Sequence, residues 1–279
     1  MMEKDDAVST VIALMLILGI VSTLIAIYSA AYLPGLKQQS EIEHSRAVAD
    51  AFVRFGSSID YAVSHKTKVR FSEPLSLGGG DILLSPVRSS GSLAIAAEGP
   101  LVNITVANGT GTVTKASSLM NISYVPSFTT WEPQGYRWEY GFVAVTKDGV
   151  AVPQSSRYYL CEEARDNSSE FLQSFVELTR SGGDNIGITL VKLFPKEGES
   201  FVTGSGIATL GLNATVTAEE VSEATAIAFD LGVPRLQGYL DEICGRTDVS
   251  YVPGSNTLDF SGRPVNVTLR TVDIEVSVW

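Results

Sequence analysis

The chain has 279 residues, with 20 Lys+Arg against 31 Asp+Glu and a formal net charge of -11. That balance argues against a general nucleic-acid role, which needs a basic face. A hydrophobic fraction of 44% with 18% charged residues supplies enough apolar surface to offset chain entropy, which excludes wholesale disorder.

Residues 1–7, MMEKDDA, form a short charged leader, and residues 7–36 then carry no charged side chain. From Val8 to Leu33 the chain reads VSTVIALMLILGIVSTLIAIYSAAYL. As a helix this stretch is roughly 39 Å long against a hydrocarbon core of about 30 Å, so 8–33 is expected to span a membrane once. A secretory signal peptide needs a positive n-region, a shorter apolar core and a small-residue cleavage site after it, and the sequence offers none of these. Lys/Arg counts on the two sides leave the orientation open.

Pro34-Gly35 follows. Proline removes a helical donor and restricts Leu33, so a kink or stop is expected at Pro34. A second helical stretch, 34–65, is expected as a kinked amphipathic stalk. Val48, Phe52, Phe55, Ile59 and Val63 fall on one helical face and are expected to dock on the body. Glu41, His44 and Ser45 precede that stripe on nearly the same face, and their polarity reads as a solvated stalk.

Residues 66–279 read as β-rich: apolar residues recur with period two between Gly, Pro, Asn and Ser. The fold class expected is mainly β, a sandwich or partly open barrel with one to three short helices and one or two subdomains, on a long N-terminal helix. Phe142–Thr146 and Val150–Val152 around Lys147-Asp148-Gly149 read as a hairpin. Thr217-Ala218-Glu219-Glu220 has capping-box spacing before a candidate helix, Pro234 suits the first turn of RLQGYLDEICG, and FLQSFVEL is a weaker helix candidate. In the last run Val265, Val267 and Leu269 share one parity and Val272, Ile274, Val276 and Val278 the other, so a bulge or a crossing between sheets is expected near Arg270-Thr271.

Six of the eight Asn residues begin an N-x-S/T triplet: Asn103, Asn108, Asn121, Asn167, Asn213 and Asn266. With 52 Ser and Thr in the chain, chance gives about one or two. Asn103, Asn121, Asn213 and Asn266 each alternate with apolar neighbours and so should point to solvent. These sequons orient the chain, with residues beyond Lys37 outside the cell as a glycoprotein. Cys161 and Cys244 leave two readings open there, a disulfide or two buried thiols.

Chemistry is scarce. His44 and His65 sit in no motif. The loops Leu77-Gly78-Gly79-Gly80-Asp81 and Ser181-Gly182-Gly183-Asp184 lack the context of a phosphate loop. Neither a nucleophile elbow nor a metal-ligand spacing is present. No enzymatic activity and no cofactor are therefore expected. The aromatic group Trp131, Tyr136, Trp138, Tyr140 and Phe142 favours core or interface packing over ligand binding.

Asp5-Asp6-Ala7 followed by Val8-Ser9-Thr10-Val11-Ile12-Ala13 and a long apolar helix resembles the N-terminus of archaeal type IV pilins and archaellin-like proteins. The resemblance covers roughly the first 60 residues. Thr10 stands where the haloarchaeal pattern has Pro, Ala13 where it often has Gly, and the leader is acidic. The resemblance implies cleavage by a prepilin peptidase between Ala7 and Val8, with the retained helix anchored in membrane lipid and able to pack with its copies or with other pilin-like subunits. It further implies a structural or adhesive role at the cell surface. The alternative is a monomeric, single-pass extracellular binding domain that does not polymerise. An extracellular enzyme ranks a distant third.

Overall fold

In the computed structural model the described residues are 3–79, 88–147, 150–152, 169–180, 184–247 and 251–279. The chain is mainly β behind one long N-terminal helix. Helix α1 (Glu3–Ile27) runs through a five-residue π turn (Tyr28–Tyr32) into α2 (Leu33–His65). Pro34 therefore does not stop the helix. The Leu33 N–H donates to the Tyr28 carbonyl five residues back, and this wider turn accommodates a proline that has no donor of its own. Lys66 ends α2 in the left-handed conformation at φ 52°. Its carbonyl receives Arg270 Nη2 at 2.6 Å and its ammonium pairs with Glu177 at 2.5 Å.

Twelve strands follow among the described residues: β1 (Val69–Ser76), β2 (Ser90–Asn108), β3 (Gly111–Ser127), β4 (Gln134–Glu139), β5 (Phe142–Lys147), β6 (Val150–Val152), β7 (Val176–Arg180), β8 (Asn185–Pro195), β9 (Phe201–Gly204), β10 (Ile207–Leu231), β11 (Thr257–Asp259) and β12 (Val265–Val278). They form one sheet in the order β6-β5-β4-β3-β2-β10-β12-β8-β7, with β1, β9 and β11 paired off that path. A single parallel pairing, Ser118 with Lys192, joins β3 to β8 and closes the ring β3-β2-β10-β12-β8. Ser117 and Ser118 hydroxyls donate to the Val191 and Leu193 carbonyls at 2.5 and 3.1 Å at this seam. This is the partly open barrel anticipated from the strand spacing.

The parity switch in β12 has a different cause from a local bulge. Its register with β10 runs unbroken from Val278 to Val267, and with β8 from Val276 to Asn266. Strand β8 switches with it: Ile186, Ile188 and Leu190 are buried on one parity, Val191 and Leu193 on the other. Paired strands thus change the face they bury at the same level while remaining in one sheet. The two halves still form one contiguous apolar cluster.

Two helix expectations are revised. The capping-box segment lies inside β10, where β12 supplies the ladder partners of Thr217–Val221, β2 takes over from Ala224, and Glu219 pairs with Lys115 at 2.8 Å; the tertiary pairing overrides local propensity. In FLQSFVEL only the beginning is helical, as α3 (Ser169–Gln173), before β7. The third candidate holds: Pro234–Leu236 is a 3-10 turn opening α4 (Gln237–Gly245). The hairpin also forms, with Lys147 opposite Val150, and its Asp148-Gly149 tip lies outside the described residues. Tyr136 and Trp138 are core residues, while Trp131 is exposed.

Candidate functional site: the apolar helix and its junction with the β domain

The helix divides into two environments. From Val11 to Ile27 its large apolar side chains are bare, with Leu14, Met15, Leu18 and Leu24 each more than 60% exposed. The stretch is long and apolar enough to cross a membrane, and none of its most apolar window is buried by the rest of the chain. Gly19 leaves a shallow apolar notch with Met15, Leu16 and Thr23. Ala7 and Val8 lie within α1.

From Glu41 onward the same helix is core. Val48, Phe52, Phe55, Ile59 and Val63 are all buried, as their spacing predicts. The upstream polar residues, expected in solvent, are buried as well: Glu41 is 2%, His44 7% and Ser45 5% exposed. Their partners come from β3, β4 and the loop between them. Glu41 Oε1 accepts from Thr129 N at 2.8 Å and Thr129 Oγ1 at 3.0 Å; Oε2 accepts from Thr130 N at 3.0 Å, Thr130 Oγ1 at 2.7 Å and Trp131 N at 2.8 Å. A carboxylate with five donors fills its acceptor sites, so a charge that is costly to bury alone is stabilised here. Burial raises the Glu41 carboxyl, but the Thr129 and Thr130 hydrogen bonds together outweigh it and hold the group below its ordinary range.

One turn on, Tyr124 Oη donates to the Leu77 carbonyl at 2.8 Å and lies 2.9 Å from His44 Nε2, which leaves it to accept the imidazole N–H. The His44 ring stands edge-on to Tyr124 and Phe128. Burial lowers its basicity, with the Leu77 carbonyl and Glu41 pulling the other way. A side chain at Gly79 would strike His44, since a Cβ there would lie 2.7 Å from the His44 Cβ. Ser45 Oγ and Tyr136 Oη pair at 2.9 Å. Three consecutive polar contacts therefore fix where the bare helix leaves the β domain. This geometry fixes the position and orientation of the helix at the junction.

Asn103, Asn121 and Asn213 are half-buried and Asn266 is exposed, each between buried neighbours, as the alternation implies. Asn103 Nδ2 donates to Asp230 at 3.2 Å and Asn121 Nδ2 to Glu98 at 2.9 Å. Asn108 closes the β2–β3 turn, its Oδ1 accepting from Thr110 N and Gly111 N at 3.0 and 2.9 Å. Asn167 and Cys161 lie outside the described residues. Cys244 is a buried free thiol on α4, pushed up to about 12 by burial and by Asp241.

The signal that identifies the junction is present in the sequence as phase: Glu41, His44-Ser45 and Val48 continue the spacing of the apolar stripe. Polarity alone hides it. Compared with known proteins, the chain matches no family model, no curated protein and no solved structure.

Proposed function

We propose that the chain is an archaeal type IV pilin-like cell-surface subunit, held in the membrane or in a filament by its apolar helix and carrying a glycosylated β domain outside the cell. One observation carries the reading: a single continuous helix is bare over its first half and locked into the β domain over its second. A bare apolar rod leaves lipid only for another apolar environment, such as a bundle of identical helices. The junction supports the same reading, because a subunit that transmits load or position from a helical core to a surface domain needs a fixed exit angle. The Glu41, His44 and Ser45 contacts provide one. The role is structural or adhesive, the helix partners are lipid and like helices, and a prepilin peptidase removes residues 1–7.

The test is to shear surface appendages from cells expressing the chain and image them. Filaments containing the chain with Val8 as its first residue support the proposal. Recovery of the chain only as detergent-extracted single copies supports instead a monomeric membrane-tethered binding domain.

A further inference from the structure

A second feature lies on the solvent side of β1, β10 and β12, away from the helix junction. The registers align Arg70, Asn213 and Glu275 in one row and Ser72, Gly211 and Ser277 in the next. Trp279 follows, its backbone paired in both directions with Thr209 at 2.8 and 3.3 Å. The six-membered ring of its indole lies over Gly211, where a Cβ would fall inside contact distance of Cζ3 and Cη2. The ring is thereby held against the strand through Cζ3 and Cη2, and the residue remains 57% exposed. Beside it opens a groove of about 700 Å³, with Lys196 and Glu199 paired at 2.6 Å on its rim.

The chemistry of this groove is specific. An indole held against the strand and otherwise exposed matches the apolar C–H face of a pyranose. A guanidinium, a carboxamide and a carboxylate in one row supply donors and acceptors for neighbouring hydroxyls. Two cationic and two anionic side chains line the groove, which favours an uncharged polyol over a phosphate or a peptide of one sign. We propose that this groove is a saccharide-binding site, with one sugar ring stacked on Trp279 and its hydroxyls held by Arg70, Asn213 and Glu275. Asn213 also begins the triplet Asn213-Ala214-Thr215, so the sugar has two sources: one attached to Asn213 itself, or one carried by another molecule. The site does not depend on filament assembly.

The test uses the full chain in lipid nanodiscs, free of sugar detergents, made once in a host that does not glycosylate and once in one that does. Methyl glycosides of glucose, galactose, mannose and N-acetylglucosamine are titrated and followed by saturation-transfer NMR. The unglycosylated chain is expected to bind at least one of them with a Kd of about 1 mM, and Trp279→Ala and Gly211→Ala each to weaken it by about tenfold or more. Gly211→Ala keeps the indole but lifts it off the strand, and the exposed Arg70→Ala gives a third variant should either of these unfold. Loss of binding in the glycosylated chain, restored by Thr215→Ala, identifies the sugar on Asn213 as the occupant; binding by both forms identifies an external one. Absence of saturation by every glycoside at about 50 mM, or binding unchanged in folded Trp279→Ala and Arg70→Ala chains, overturns the proposal.

Discussion

Replacing Glu41 is the sharpest perturbation of the junction. In Glu41→Gln the side chain keeps its shape, but one accepting oxygen becomes an NH₂ donor, which then faces either the Thr129 N–H or the N–H groups of Thr130 and Trp131. In Glu41→Ala all three backbone donors lose their acceptor. The Thr129 and Thr130 hydroxyls can turn to water, since both residues are exposed, so the cost is carried by the N–H groups. Charge-assisted bonds contribute about 1.5–3 kcal/mol each and are not additive. The expected losses are about 2 kcal/mol for Gln and about 3–4 kcal/mol for Ala, or about 10 °C in Tm for Ala in a domain of this size. Thermal melting in nanodiscs measures the loss, and hydrogen exchange at Thr129, Thr130 and Trp131 locates it. Because the folded-state carboxyl titrates below its ordinary value of 4.5, this stabilisation is fully present above about pH 4.5 and is lost as pH falls through the depressed range. A Glu41→Gln chain within about 0.5 kcal/mol of the parent, with those three amides still protected, refutes the junction as described.

Three further outcomes follow from the same structure. Asp60 has a buried oxygen without a hydrogen-bond partner, and burial raises its carboxyl to about 6. The folded chain then holds more protons than the unfolded one between about pH 4 and 6, so stability falls as pH rises across that window, and Asp60→Asn should stabilise by about 1–3 kcal/mol at pH 7 and by almost nothing below pH 4; denaturant melts at both pH values check it. Cys244 should resist a thiol reagent at pH 8 in the native chain, being fully buried with its thiol pushed up to about 12. After unfolding without reductant Cys244 should react, as a free thiol does; silence contradicts the free thiol. Deleting residues 1–35 should leave the Tm of the β domain within about 2 °C, since the removed helix buries nothing, and should yield a chain soluble without detergent.

Much of the architecture is legible along the chain because it is encoded by period. The apolar stripe Val48 to Val63, the Phe142–Val152 hairpin, the Pro234-to-Gly245 helix and the outward set of Asn103, Asn121, Asn213 and Asn266 all follow from spacing. What escapes depends on partners far away in sequence. Glu41 reads as solvated because its donors at Thr129–Trp131 lie 88 to 90 residues on. The 217–228 segment carries a helix-start signal, yet it is fixed as a strand first by β12 and then by β2, both distant in sequence. Pro34 sits within a continuous helix because the π turn ahead of it absorbs the missing donor. The Trp279 groove is invisible in sequence, since only register brings β1, β10 and β12 together there.

The most direct measurement is the intact mass of the chain extracted from the membranes of its own cells, with peptide mapping of the first residues. The account predicts a polypeptide that starts at Val8 and retains the whole apolar helix. A chain that begins at Met1, or one trimmed after Leu33 and released from the membrane, contradicts it.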